Sequence, residues 1–108
     1  MNTKKDILKE VIDILIKEYM PEKIILFGSY CYGKSTKDSD IDLLIIKDTQ
    51  KKNRIDRFVE VKRIIYNPRF KISISPLILT SNELNERLEM GDDFLREITT
   101  KGEVLYER

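Results

Sequence analysis

Two short apolar runs on either side of a polar stretch constrain this chain more than any other feature. Lys23-Ile24-Ile25-Leu26-Phe27 stops at Gly28-Ser29, ten residues intervene, and Asp40-Ile41-Asp42 opens Leu43-Leu44-Ile45-Ile46. Runs this short and this rich in Ile and Leu predict strands over Lys23–Phe27 and Ile41–Ile46, covered on both faces. Alternate residues of a strand share a face, so Asp40 and Asp42 project together while Ile41 and Leu43 pack on the other side. Two carboxylates aimed at one point suit Mg²⁺, which takes a few carboxylates and completes its shell with substrate phosphate oxygens. A helical turn beginning at Ser29 leaves its first N–H groups free to meet a phosphate, and Gly28 lets that phosphate approach the backbone. Gly33–Ser39 reads as loop, and its Lys34 and Lys37 are further candidate phosphate contacts beside their ordinary role in solubility.

The chain around these runs alternates helix and strand. Ile7, Leu8, Val11, Ile12, Leu15 and Tyr19 recur at helical spacing after a Thr3/Asp6 capping pair, and Met20-Pro21 ends that helix. A second amphipathic helix is predicted on Ile55, Phe58, Val59, Ile65 and Tyr66, ended by Asn67-Pro68. Lys71–Leu79 reads as a third strand, with Ser73 and Ser75 on one face and Pro76 favouring an edge position. Thr80 and Glu83 form a capping box for a helix closed by Gly91, Asp92 caps another through Leu95 and Ile98, and Val104-Leu105-Tyr106 predicts a last strand. The expected fold class is α/β (α+β), a small mixed sheet flanked by helices, in one domain over residues 1–108.

Composition narrows the chemistry. The chain has no His, so imidazole catalysis and ligation are excluded, and its single cysteine, Cys31, excludes an intramolecular disulfide. Cys31 reads as a small packing residue, and Tyr30 and Tyr32 as partly packed rather than base-stacking. Twenty Lys and Arg balance 19 Asp and Glu, which argues against broad nucleic-acid binding by net charge while leaving room for a local basic patch. No run reaches membrane-spanning length and the N-terminus lacks a signal-peptide core, so a cytoplasmic protein is expected.

Gly-Ser, ten residues, then Asp-x-Asp in a strand-turn-strand setting resembles the DNA polymerase beta-like nucleotidyltransferase superfamily, closest to its minimal (MNT) branch, the antitoxin type. The likeness extends through Leu-Thr-x-x-Glu-Leu at Leu79–Leu84 and Lys-Gly-x-Val-Leu-Tyr-Glu at Lys101–Glu107. It implies the polymerase-beta-like nucleotidyltransferase fold and a Mg²⁺- or Mn²⁺-dependent transferase using ATP or another NTP. Gly28 and Ser29 would hold the triphosphate, and Asp40 and Asp42 would be catalytic metal ligands. It also implies a HEPN-domain toxin as partner, adenylylated or simply occluded, in a homo- or hetero-oligomer, while the short apolar runs speak against a membrane partner and the balanced charge disfavours nucleic acid as a direct substrate. Nucleotide transfer to RNA or to a small molecule is a third reading. Two departures stand out. Many relatives carry Arg where this chain has Tyr32, and the third strand places Ser75 where a third acid is expected. Glu83 and Asp56 are the other acids considered for that role.

Overall fold

The computed structural model describes residues 3–31, 33, 40–51 and 53–108. Helix α1 (Lys4–Ile14) starts on the expected capping box, with the Thr3 hydroxyl accepting from the Asp6 N–H and the Asp6 carboxylate accepting from the Thr3 N–H. The helix continues as one π-helical turn, Leu15–Tyr19, and ends on Met20 in the left-handed region (φ 54°). Its last carbonyls, of Tyr19 and Met20, accept from the Lys47 ammonium, which lies over the Tyr19 ring. Strand β1 (Lys23–Phe27) then leads into a single turn of helix, α2 (Gly28–Cys31), one residue ahead of the predicted start. Strand β2 (Ile41–Ile46) has the predicted bounds. Helix α3 (Arg54–Ile65), strand β3 (Ile74–Leu79), helices α4 (Ser81–Glu89) and α5 (Asp93–Lys101) and strand β4 (Glu103–Glu107) complete the order.

The strands form one mixed sheet in the order β3-β2-β1-β4. β1 is antiparallel to β2 and β4, while β2 and β3 run parallel, as their connection through α3 requires. Ile24, Leu26, Ile41, Leu43 and Ile45 pack on one face with α1, the π turn and α3; Ile25, Leu44 and Ile46 pack on the other with Leu95 and Ile98 of α5. Each such side chain taken fully out of water contributes about 1.5–3 kcal/mol, so the two central strands anchor the sheet from both sides. None of the helices among the described residues is long and apolar enough to cross a membrane.

Two expectations are corrected. β3 starts at Ile74, not Lys71, because β2 begins at Ile41 and offers Ser73 only one bond, from the Ile41 N–H to the Ser73 carbonyl. α3 buries Arg57, Val61 and Ile65, leaving Ile55, Phe58, Val59 and Tyr66 exposed. The buried Arg57 guanidinium donates to the carbonyls of Lys51 and Ile78 and to the Glu83 carboxylate, fixing α3 against the start of α4.

The edge position predicted from Pro76 holds, and that edge is blocked. The ladder bonds of Ser73 and Leu79 to β2 fix the alternation, so Ile74, Pro76 and Ile78 turn their backbone outward. Lys62 donates to the Ile74 carbonyl, Arg57 to that of Ile78, and Pro76 has no N–H to offer. A second strand finds little to pair with there.

Candidate functional site

The carboxylate pair sits where β1 ends and β2 begins. Phe27 pairs across from Asp42, so the chain leaving β1 must turn beside that carboxylate. Gly28 makes the turn at φ 81°, and a Cβ on it would overlap the Asp42 carboxylate. Glycine is required twice over, by the left-handed backbone and by the close approach. Ser29, Tyr30 and Cys31 are half-buried, and Tyr30 and Cys31 lean on the α1/α3 side of the core, as their packing reading expected.

Asp42 is half-buried and Asp40 exposed. Burial pushes the Asp42 carboxyl above its ordinary value, and the negative charge of Asp40 pushes it the same way. Among the described residues no Lys or Arg forms an ion pair with either carboxylate. Two mutually repelling carboxylates without a cationic side chain are a donor set that a divalent cation would neutralise. Among the described residues no third His, Cys, Asp or Glu joins them.

Ser75 lies directly across from Asp42 in the parallel register, so the two side chains emerge on the same face of adjacent strands. A hydroxyl stands at the neighbouring position, with no charge to hold a second ion. Glu83 does not substitute. It closes the α4 capping box and pairs with Arg57, which pulls its carboxyl below the ordinary value, and it follows Leu79, whose partner Ile46 ends β2 away from Asp42. Asp56, in the first turn of α3 beside Arg57, belongs to that same far end. Lys34, Lys37 and Tyr32 lie outside the described residues.

One feature escaped sequence reasoning. Phe27, on the Asp42 face of the sheet, meets Phe94 of α5 edge to face, with ring centroids 5.8 Å apart. Phe94 is 56% exposed, so the pair forms an apolar wall alongside the carboxylates. The available signal was an aromatic just inside the Asp92 cap that is not part of the Leu95/Ile98 stripe.

The sequence model of the family described as "Polymerase beta, Nucleotidyltransferase" matches residues 9–108. "Putative protein adenylyltransferase MJ0604" from Methanocaldococcus jannaschii is 32% identical over 108 residues, covering 98% of this chain and all of that protein. "Putative protein adenylyltransferase MJ1305" from the same organism is 36% identical over 87 residues, covering 79% of this chain and 58% of the longer relative. The crystal structure of "a putative nucleotidyltransferase from Sulfolobus solfataricus" superposes with a TM-score of 0.65 at 20% identity, covering 94% of this chain and 78% of that one, a likeness of fold. Matched by the family's model over residues 9–108 and 32% identical to a relative over nearly its whole length, this chain belongs to the polymerase beta-type nucleotidyltransferase family.

Proposed function

We propose that this protein transfers adenylate from ATP, with Mg²⁺ or Mn²⁺, to a hydroxyl of a partner protein, and that the partner is a HEPN-type toxin which the transfer silences. The observation that carries the reading is Asp42, held against the Gly28 backbone and facing the charge of Asp40, with no cationic side chain paired to either among the described residues. The relatives' names, each "putative protein adenylyltransferase", direct it toward a protein acceptor.

Asp40 and Asp42 would hold the divalent ion, which would draw charge from the α-phosphate and the departing pyrophosphate. Gly28 lets the Asp42 carboxylate come against the backbone at the turn, and the Ser29 hydroxyl would donate to a triphosphate oxygen. The acceptor hydroxyl forms a new bond to the α-phosphorus in line with the bond that breaks to pyrophosphate. The hydroxyl proton leaves to a carboxylate or to water, giving a phosphodiester and free pyrophosphate. The test is incubation with α-³²P-labelled ATP and a purified HEPN-domain protein from the same genome. Label on the partner that disappears with Asp42→Ala supports transfer. No label above that control, with Mn²⁺ also tried, contradicts it.

Ser75 opposite Asp42 favours a second reading, in which a site short of one acid binds nucleotide and the protein neutralises its partner by covering it. Ser75→Asp separates the two. Under the transferase reading it raises the labelling rate on the order of tenfold, as expected for a better-held ion worth a further kcal/mol or so. Under the occlusion reading Asp40→Ala and Asp42→Ala still protect, and Ser75→Asp adds nothing.

A further inference from the structure

The near-zero net charge of this chain hides two poles. From Lys51 to Lys71 there are eight Lys or Arg against two Asp or Glu, giving +6; from Ser81 to Glu107 there are eight Asp or Glu against three Lys or Arg, giving −5. The remainder of the chain is neutral, so nearly all of the imbalance sits in these two stretches. They belong to opposite faces of the sheet, α3 packing on one and α4 and α5 on the other.

Exposed apolar side chains follow the same division. On the basic pole Ile55 (70% exposed), Phe58, Val59 and Tyr66 (76%) recur at i, i+3, i+4 and i+11, one stripe along α3 and the residue after it. Arg54 and Arg63 flank that stripe, and Arg69 follows it. On the acidic pole Met90 (85%) and Phe94 are exposed beside Glu89 and Asp93 in the chain, and Val104 beside Glu103. Apolar residues amid charges of one sign are the usual make-up of an interface, with an apolar centre and a polar rim. The two poles have that make-up with opposite signs.

From this complementarity we infer that the molecule associates head to tail with a second copy of itself, the α3 face of one copy seated on the α4–α5 face of the next. Arg57 and Glu83 join the poles by one ion pair at the β3 edge, and the charges left over, +5 and −4, lie on opposite sides of the sheet. An α3-to-α3 dimer would bring two basic faces together. Strand pairing through β3, the edge beside α3, is obstructed by Pro76, Lys62 and Arg57, so contact on that side falls to the side chains of α3. A head-to-tail contact can repeat, so association grows with concentration. Because Phe94 belongs both to the acidic pole and to the wall beside Asp42, a docked copy covers one side of its neighbour's carboxylate pair.

Sedimentation velocity of the purified full chain tests this, from about 5 µM to about 500 µM, in buffers whose screening lengths differ severalfold, near 0.02 M and near 0.5 M salt. The expected result is a weight-average mass that climbs with concentration at low salt, with affinity falling at least tenfold at high salt. Arg63→Glu/Arg69→Glu and Glu86→Lys/Glu89→Lys should each weaken association about tenfold. An equimolar mixture of the two variants should return affinity to within about threefold of the starting protein, because in alternation the unsubstituted α3 face of one meets the unsubstituted α4–α5 face of the other and the two reversed faces also match; carrying all four changes on one chain should do the same. The unsubstituted protein's salt response decides the matter should a variant fail to fold. A monomer at every concentration overturns the proposal, as does reversal of one pole alone being without effect. Binding of phosphatidylserine vesicles or single-stranded RNA by a strictly monomeric protein would assign the α3 face to that ligand instead, and equally overturn it.

Discussion

The two ends of the β2–β3 pair hold their carboxylates in opposite ways. At the far end Glu83 accepts from the buried Arg57 and from the Thr80 N–H, and its carboxyl is pulled down by that hydrogen bond to Arg57. At the near end Asp42 faces Asp40 with Gly28 against it, and its carboxyl is pushed up by burial and by its neighbour. Glu83 has its cation built into the fold and serves as a fastener. Asp42 has none among the described residues, and a bound cation would neutralise its charge.

Breaking each end should therefore fail in a different assay. Asp42→Ala should reduce adenylate transfer on the order of 10²–10³-fold, since an ion that stabilises the transition state by several kcal/mol loses a ligand. Its unfolding curve in denaturant should stay level with that of the unsubstituted protein or shift toward greater stability. Arg57→Ala should do the reverse. It strands the Lys51 and Ile78 carbonyls and leaves Glu83 unpaired, costing about 2–3 kcal/mol, the lower side of what a broken buried pair costs because Glu83 is partly in solvent. Chemical denaturation measures that loss, and transfer by the fraction still folded should be unchanged.

The pH responses sharpen the contrast by a smaller amount. Glu83 has a lowered carboxyl, so its stabilisation is present above the ordinary carboxylate value and is lost as pH falls through the lowered one. Asp42 has a raised carboxyl, so the protein is most stable with respect to it below the ordinary value and loses stability as pH rises through the raised one. Glu83→Gln should flatten the acid limb of a stability-against-pH curve. Asp42→Asn should lift the neutral side, and in that variant Mg²⁺ should no longer raise the melting temperature.

Much of this was legible in the residues because it is local. Thr3 with Asp6 and Thr80 with Glu83 define helix starts within four residues, and Ile24–Phe27 and Ile41–Ile46 can only be covered strands. The alternation that sets Asp40 with Asp42, and the serine beside them, needed only strand parity. What was missed depends on distant partners. Spacing favours a stripe on Ile55, Phe58, Val59, Ile65 and Tyr66, of which only Ile65 is buried, beside Val61. The helix is turned the other way by Arg57, which finds acceptors in three separate segments. The Phe27–Phe94 wall likewise joins residues 67 positions apart.

The most direct test is calorimetric titration with Mn²⁺ and a non-transferable ATP analogue bearing a methylene between the α- and β-phosphorus. The account predicts metal-dependent binding to the unsubstituted protein that weakens at least tenfold with Asp42→Asn and is unaltered by Glu83→Gln. Equal binding by the unsubstituted protein and Asp42→Asn would contradict it.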